Sequence, residues 1–208
     1  YDSADLDYIF EIAVKGGFTG IVLEKGSAEY FNTTKYSYLV PLIVKLDGKL
    51  KDEEKRSNLV CSVEYAKKLG AKGIGYTIYL GTKYTKEMIE TFSCIQEKAR
   101  NLKLTVCLWI YPGEKEIDFL DSIRLGFELG ADIIKVKKPK DLKLISEIYN
   151  YSSKVKVVLA GGEQEGEEEF LDEVAICVKK GIDGYFVGRN VWQNKDPINM
   201  GLKMRDLI

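Results

Sequence analysis

The 208-residue sequence contains no histidine, and this absence excludes several kinds of active site. Histidine is the commonest general base in enzymes, a frequent zinc ligand and a member of Ser-His-Asp triads. Proton transfer in an enzyme built on this chain must therefore use tyrosine, lysine, aspartate, glutamate or water.

Cysteine is scarce as well, with four residues that form no CxxC pair. The four are Cys61, Cys94, Cys107 and Cys177, and most of them lie in apolar stretches. We expect buried, reduced thiols rather than disulfides or metal ligands.

The chain also lacks an excess of charge of either sign and any long hydrophobic run. With 31 basic and 32 acidic residues the net charge is -1, which favours neither a nucleic-acid partner nor an anionic membrane. No apolar run approaches the roughly 18 residues that span a bilayer, and no signal peptide opens the chain. A cytoplasmic location is the resulting expectation.

What the sequence does contain is a series of short, β-branched runs that predict seven strands. They are almost continuously apolar rather than alternating, which is typical of parallel strands covered on both faces. They occupy residues 20–23, 41–46, 73–79, 104–111, 132–137, 155–160 and 184–189.

Segments with helical spacing of apolar residues separate several of these runs. Helices are predicted over residues 2–14, 62–69, 84–101, 140–150 and 167–180, and around Phe119, Ile123, Phe127 and Leu129. Glycines that suit a left-handed C-terminal turn end four of the helical segments: Gly17, Gly70, Gly130 and Gly181. This recurrence of helix, glycine and strand predicts consecutive βα units.

Seven parallel strands predict a single domain over residues 1–208 with the α/β fold of a (β/α)8 TIM barrel, the first strand missing from the chain. The start at Tyr1 rather than methionine is compatible with that interpretation. An open, doubly wound sheet is the alternative. The charged stretch 47–58 is predicted to be a solvated loop.

Lys135 is the most unusual residue of the predicted strands, since it lies between Ile134 and Val136. Strand alternation places Lys135 on the inner face of the barrel, where burial and a second lysine, Lys45, would disfavour its ammonium form. A neutral amine is a nucleophile that forms Schiff bases. The alternative is a structural ion pair with a carboxylate.

Two further groups lie at the carboxyl ends of predicted strands. Tyr111 closes one strand and is a candidate general acid or base, or an ordinary packing residue. The stretches "LAGGEQ" and "FVGRNVW" follow the last two strands, where barrels commonly bind phosphate. Gly161 and Gly162 are candidate amide donors and Arg189 a candidate cation, although glycine pairs also make ordinary turns.

The order and spacing of several stretches resemble archaeal-type class I fructose-1,6-bisphosphate aldolases across nearly the whole chain. These stretches are "DSADLDYIFEIAVKGGFTGIV", "PLIVKLDGK", "CSVEYAKKLGAKGIGYTIYLG", "WIYP", "GADIIKVK", "AGG" and "VGRNVWQ". The resemblance implies a (β/α)8 barrel and a lyase that reversibly cleaves fructose 1,6-bisphosphate without a metal or cofactor. It also implies a sugar-phosphate substrate, a place in glycolysis and gluconeogenesis, and a homo-oligomer.

The same resemblance implies roles for individual residues. Lys135 falls on the Schiff-base lysine, Tyr111 on the acid/base position and Trp109 on the wall of the site. The phosphate-binding loops match Gly161, Gly162, Gly188 and Arg189.

Some positions depart from the pattern of the family. The first-strand aspartate has no counterpart, Ala160 replaces a common serine, and the loop after Tyr111 is short, with Gly113 in place of an arginine. These departures concern substrate choice. The alternatives are therefore a related Schiff-base synthase acting on another sugar phosphate, or a non-catalytic barrel that binds one.

Overall fold

A computed structural model describes residues 5–48, 54–111, 118–150 and 154–208. The shortened loop predicted after Tyr111 falls on residues 112–117 and lies outside these ranges. The same holds for the first residues of the helix predicted over 2–14.

Seven strands form one parallel sheet whose order follows the chain. All seven predicted strands are confirmed, six of them to within one residue at each end, whereas the last ends at Phe186 rather than at residue 189, where a helix begins. Two additional short strands form a separate antiparallel pair. The strands are β1 (Ile21–Glu24), β2 (Leu42–Lys45), β3 (Asp47–Gly48), β4 (Asn58–Leu59), β5 (Gly73–Tyr79), β6 (Thr105–Tyr111), β7 (Ile133–Val136), β8 (Lys156–Ala160) and β9 (Gly184–Phe186).

The strands of the large sheet lie in the order β1-β2-β5-β6-β7-β8-β9, so each strand is placed next to the one that precedes it in the chain's order and the order never reverses. A doubly wound sheet reverses its strand order at a switch point, so the open-sheet alternative is wrong. The sheet is curled, because the ring of Trp109 on β6 contacts that of Phe186 on β9 across two intervening strands. Within the described residues β1 and β9 form no ladder with each other, and the fold is a TIM-barrel-type half-barrel.

Nine helices in the described ranges pack mainly against the convex side of the sheet. They are α1 (Leu6–Lys15), α2 (Lys25–Phe31), α3 (Val63–Lys68), α4 (Thr85–Asn101), α5 (Asp118–Glu128), α6 (Lys143–Ser146), α7 (Glu167–Lys179), α8 (Arg189–Trp192) and α9 (Pro197–Leu207). A 3-10 turn, Glu147–Asn150, follows α6 and replaces the second half of the helix predicted over 140–150. Sequence analysis missed α2, α8 and α9.

A side-chain cap and glycine turns mark several helix ends, and the glycine turns were predicted. Asp5 caps α1 by accepting hydrogen bonds from the amides of Asp7 and Tyr8. The four glycines predicted to end helices all have positive φ, between 74° and 114°: Gly17, Gly70, Gly130 and Gly181. These short turns bring each helix directly into the next strand.

The stretch 47–58 was predicted to be a solvated loop, and its ends correct that prediction. Asp47 is 1% exposed, and β3 pairs with β4 through Asp47–Leu59 and Gly48–Asn58. Residues 49–53 lie outside the described residues.

All four cysteines are free, as predicted, but Cys94 is exposed while the other three are buried. Across the described ranges, every helix is too short or too polar to cross a membrane.

Candidate active site

The strands of the half-barrel carry half of the predicted site residues, and the other half lie after β8 and β9. Backbone register pairs Lys45 with Gly75, and it aligns Thr77, Trp109 and Lys135 across three neighbouring strands. Paired residues of parallel strands project from the same face of a sheet. Ile134 points the other way and packs on α5, since a Cβ built on Gly126 would lie 2.6 Å from Ile134 Cδ1. Lys135 therefore faces inward, as predicted.

Two aromatic rings enclose the amino group of Lys135. Its Nζ lies 5.6 Å from the ring centroid of Trp109 and 5.7 Å from that of Phe186. The two rings are themselves 5.7 Å apart at an angle of 62°. We call this pair of rings the aromatic corner. Trp109 was predicted to line the site, whereas Phe186 was not identified.

Gly75 leaves the space that the indole of Trp109 occupies. A Cβ at position 75 would lie 1.7 Å from Trp109 Cζ3 and 2.0 Å from Cη2, so no larger residue fits beneath the ring. The indole can cross from β6 onto β5 only because this position lacks a side chain.

The environment of Lys135 favours its neutral amine. Burial, and secondarily the positive charge of Lys45, lowers the pKa of Lys135 from its ordinary 10.5 to about 8. Among the described residues Lys135 forms no ion pair, so none of their carboxylates offsets this effect. Of the two predicted alternatives, nothing in the described ranges supports a structural ion pair.

Lys45 is held in place by Asp47, which sequence analysis did not select. Lys45 Nζ donates to Asp47 Oδ2 and to the Asp47 carbonyl oxygen, both at 3.0 Å. The pairing of β3 with β4 fixes this aspartate. Its second carboxylate oxygen, Oδ1, is buried without a hydrogen-bond partner in the described part of the chain. A signal was available, because Asp47 immediately follows a strand at its carboxyl end.

Tyr111 and Tyr79 stack against each other at the ends of neighbouring strands. Their ring centroids are 5.5 Å apart, and Lys137 Nζ lies 5.8 Å from the ring centroid of Tyr111. Burial, with smaller effects of Tyr79 and Asp47, raises the pKa of Tyr111 to about 12. The phenol is therefore protonated at neutral pH and can donate a proton.

The glycine loops after β8 and β9 adjoin the aromatic corner. The Gly161 amide donates to the carbonyl oxygen of Phe186 at 3.0 Å, so that amide already has an intramolecular acceptor. A Cβ on Gly161 would lie 3.2 Å from the α-carbon of Val187, and Gly162 has a φ of +69°. Gly161 thus lets the two loops approach closely.

Asn190 joins the two loops, although sequence analysis did not single it out. It is buried, and its Nδ2 donates to the carbonyl oxygens of Gly161 at 2.6 Å and Glu163 at 2.7 Å. Its Oδ1 accepts from the amide of Glu165 at 2.8 Å. Arg189 is exposed, with Nη2 3.5 Å from the carbonyl oxygen of Gly162. Gly188, also predicted, precedes α8 directly.

The structure therefore assembles two adjoining groups. The first contains the predicted Lys135, Trp109 and Lys45, and the second contains the predicted glycines and Arg189. Phe186 lies in β9 and connects them through its ring and its carbonyl oxygen. Across the described ranges, no three Cys, Asp or Glu side chains are grouped so as to hold a metal ion.

Comparison with known proteins gives one family and several similar proteins. The profile described as "DeoC/LacD family aldolase" matches residues 2–194. The chain is 38% identical to "Fructose-bisphosphate aldolase class 1" of Thermoproteus tenax, an alignment that covers 100% of this chain and 81% of the relative. It is 30% identical to "2-amino-3,7-dideoxy-D-threo-hept-6-ulosonate synthase 1" of Archaeoglobus fulgidus, covering 72% of this chain and 58% of the relative.

Two solved structures are similar throughout the chain. A crystal structure of an archaeal fructose 1,6-bisphosphate aldolase superposes with a TM-score of 0.91 at 37% identity, covering 100% of this chain and 84% of the other. A second archaeal fructose-1,6-bisphosphate aldolase has its catalytic lysine covalently bound to the carbinolamine intermediate of the substrate. It gives a TM-score of 0.91 at 36% identity, covering 100% and 85% of the two chains.

Proposed function

Since the chain belongs to the DeoC/LacD family of aldolases, we propose that it is a class I aldolase that reversibly cleaves fructose 1,6-bisphosphate. The products are dihydroxyacetone phosphate and glyceraldehyde 3-phosphate. The observation that carries the proposal is Lys135, an inward lysine without an ion-pair partner in the described residues, whose pKa is lowered to about 8. The names of the Thermoproteus relative and of both similar structures support the substrate.

Lys135 is the proposed nucleophile. Its neutral amine adds to the ketose carbonyl, and loss of water gives an iminium. When the carbon-carbon bond breaks, its electron pair moves towards the iminium nitrogen and forms an enamine. The hydroxyl group on the departing carbon loses its proton and becomes the aldehyde. The enamine is then protonated and hydrolysed, which frees Lys135.

Tyr111 is the proposed proton shuttle. With a pKa of about 12 the phenol begins as a donor, which suits protonation of the alkoxide that forms in the condensation direction. In cleavage the phenol first gives its proton to the hydroxyl that leaves the carbinolamine as water, and the phenolate so formed then takes the proton from the hydroxyl on the departing carbon. Trp109 lines the floor of the site. Lys45 adds a positive charge to it.

The glycine loops are the proposed phosphate site. The backbone at Gly162 and Gly188 and the guanidinium of Arg189 are the candidate donors. Gly161 is not among these donors, because its own amide donates to the carbonyl oxygen of Phe186. Its proposed role is to let the two loops approach each other.

A second candidate is a related Schiff-base synthase that acts on another sugar phosphate, which the similarity to the Archaeoglobus synthase favours. Comparing cleavage rates on fructose 1,6-bisphosphate and fructose 1-phosphate tests the substrate assignment. A non-catalytic barrel would bind sugar phosphates and cleave neither.

The decisive experiment is borohydride reduction in the presence of dihydroxyacetone phosphate, followed by peptide mass mapping. We expect a stable adduct on the peptide that contains Lys135, and none in Lys135→Ala. An adduct on Lys137 or Lys45 would assign the nucleophile elsewhere, and complete absence of an adduct would exclude Schiff-base chemistry.

We also propose that the enzyme acts as a homo-oligomer in the cytoplasm, in glycolysis or gluconeogenesis. The family resemblance supports the assembly, and the four free cysteines support a reducing compartment. Sedimentation of the purified protein tests the assembly directly.

A further inference from the structure

Phe186 has no assigned role, yet its position relative to Lys135 matches that of Trp109. The three distances between the two ring centroids and Lys135 Nζ are 5.6, 5.7 and 5.7 Å, so the nitrogen and the rings form a nearly equilateral triangle. Both ring separations from Nζ lie within the roughly 6 Å over which an aromatic ring attracts a cation.

The proposed chemistry requires a positive charge at this nitrogen. The Schiff base of a lysine draws the electron pair of the breaking carbon-carbon bond only while its nitrogen keeps its proton, and loss of that proton leaves a neutral imine. A buried cation without an anionic partner is unfavourable. In the described residues Lys135 has no ion pair and Lys45 adds a like charge, whereas the two rings of the aromatic corner can offset part of the charge of this nitrogen.

Two contacts position Phe186 beside Lys135. Its carbonyl oxygen accepts the Gly161 amide at 3.0 Å, and its ring contacts the indole that Gly75 seats. An aliphatic side chain here would exclude water equally well but would present no electron-rich face. The negative face of an aromatic ring is what favours the charged intermediate over the neutral amine.

We propose that Phe186 is a further catalytic residue, whose ring, together with that of Trp109, stabilises the positive charge of the Schiff-base iminium on Lys135. This inference rests on the proposed Schiff-base function and adds to it the group that bears the charge of the intermediate.

The test replaces Phe186 by mono-, di- and pentafluorinated phenylalanine through site-specific incorporation. Fluorine withdraws electron density from the ring face while the ring keeps nearly the same shape. Each protein is incubated with subsaturating dihydroxyacetone phosphate above pH 8, where the starting amine of Lys135 is largely neutral, and is then reduced with borohydride. The ratio of modified to unmodified Lys135 is measured by mass spectrometry. We expect this ratio to fall stepwise with fluorination, by about two- to thirtyfold in total, the range that cation–π energies of about 0.5–2 kcal/mol give.

The same analogues at Phe92 are the matched control. Phe92 stacks on Tyr76 with centroids 6.2 Å apart, on the helix side of the sheet, and is fully buried. Fluorination there should leave the trapped ratio unchanged. Phe186→Leu should reduce the ratio as the pentafluorinated ring does, while thermal unfolding shows that the protein still folds.

A ratio that stays constant across the series at position 186 would overturn the role of Phe186 while leaving the Schiff-base function intact. An equal fall with the analogues at Phe92 would overturn it also, since the effect would then reflect general packing. If the unmodified enzyme itself forms no adduct, the proposed function fails instead, and the inference fails with it.

Discussion

Trp109 occupies the space that a side chain at Gly75 would need. A Cβ on Gly75 would lie 1.7 Å from Cζ3 of the indole, far inside any real contact. Since the same indole approaches Lys135 Nζ to 5.6 Å from its ring centroid, this glycine on β5 sets the position of a ring beside the proposed nucleophile on β7.

Gly75→Ala should therefore displace the indole. We expect a loss of about 1–3 kcal/mol of unfolding free energy, as for overpacked cores, together with a change in tryptophan fluorescence and slower trapping of Lys135. Chemical denaturation and borohydride trapping measure these effects.

The matched control for Gly75→Ala is Gly20→Ala, because a Cβ at Gly20 would make only ordinary contacts at 3.5 Å or more. Combining Gly75→Ala with Trp109→Leu should cost less than the sum of the single changes. Additive costs would mean that the two residues do not compete for the same space.

Lys45 contributes to the pH at which Lys135, the proposed nucleophile, becomes neutral. Lys45→Met removes a positive charge that disfavours the Lys135 ammonium, so the pKa of Lys135 should rise above about 8. The neutral fraction near pH 7 then falls, and the midpoint of the trapping rate against pH moves to higher pH. Because burial is the larger cause, the midpoint should remain below the ordinary 10.5.

Lys45→Met leaves Asp47 buried without its partner, so the double variant Lys45→Met/Asp47→Asn should be measured as well. It should show the same upward shift with less loss of stability. Lys137→Met is the control, since Lys137 is not a cause of the lowered pKa and should leave the midpoint unchanged. A midpoint unaffected by loss of Lys45 would contradict the electrostatic explanation.

The strand pattern was sufficient to predict the barrel and the inward direction of Lys135. Near-continuous apolar runs predict parallel strands, and alternation about Ile134 and Val136 then leaves only one face for the lysine. Those two rules require nothing beyond neighbouring residues in the chain. A third local rule, the preference for glycine in the left-handed turn that ends a helix, predicted the turns at the four helix-ending glycines.

The partners of Lys135 could not be predicted in the same way. Phe186 reaches Trp109 because the sheet curls, and Asn190 matters because two loops meet, so both contacts depend on distances between separate segments. The helix α9, in contrast, had a local signal that was missed: Asp196 before Pro197 is a typical helix start, and Asp196 does cap the helix.

Tyr111 should be needed more for bond cleavage than for Schiff-base formation, in which water can supply the proton. Its phenol has a pKa of about 12, so it stays protonated through the neutral range and contributes no change in rate with pH there. We expect Tyr111→Phe to reduce cleavage of fructose 1,6-bisphosphate by about 10²- to 10⁴-fold, as for loss of a general acid or base. Borohydride trapping with dihydroxyacetone phosphate should persist.

The stacked neighbour of Tyr111 supplies the comparison, because Tyr79→Phe alters an adjoining phenol without removing the proposed shuttle. It should reduce cleavage much less. If Tyr79→Phe causes the larger loss, the acid/base role belongs to Tyr79, which also closes a strand at the mouth of the barrel.

Lys135 should lower the free energy of unfolding of the protein at neutral pH. Its pKa is about 8 in the folded protein and near the ordinary 10.5 when unfolded, so below pH 8 folding must bury a proton that the unfolded chain holds in water. Between about pH 8 and 10.5 the unfolded chain binds more protons than the folded one, and stability rises with pH. Lys135→Met should therefore be more stable than the unmodified protein at pH 7, by up to about 3 kcal/mol.

The advantage of Lys135→Met should shrink as the pH rises from about 8 and be nearly gone above about 10.5. Urea unfolding at several pH values measures it, and Lys137→Met provides the control, because an exposed lysine should change stability by no more than about 0.5 kcal/mol. Equal stabilities of Lys135→Met and the unmodified protein at neutral pH would mean that the Lys135 ammonium is well solvated in the folded state. The lowered pKa, on which the nucleophilic role depends, would then be absent.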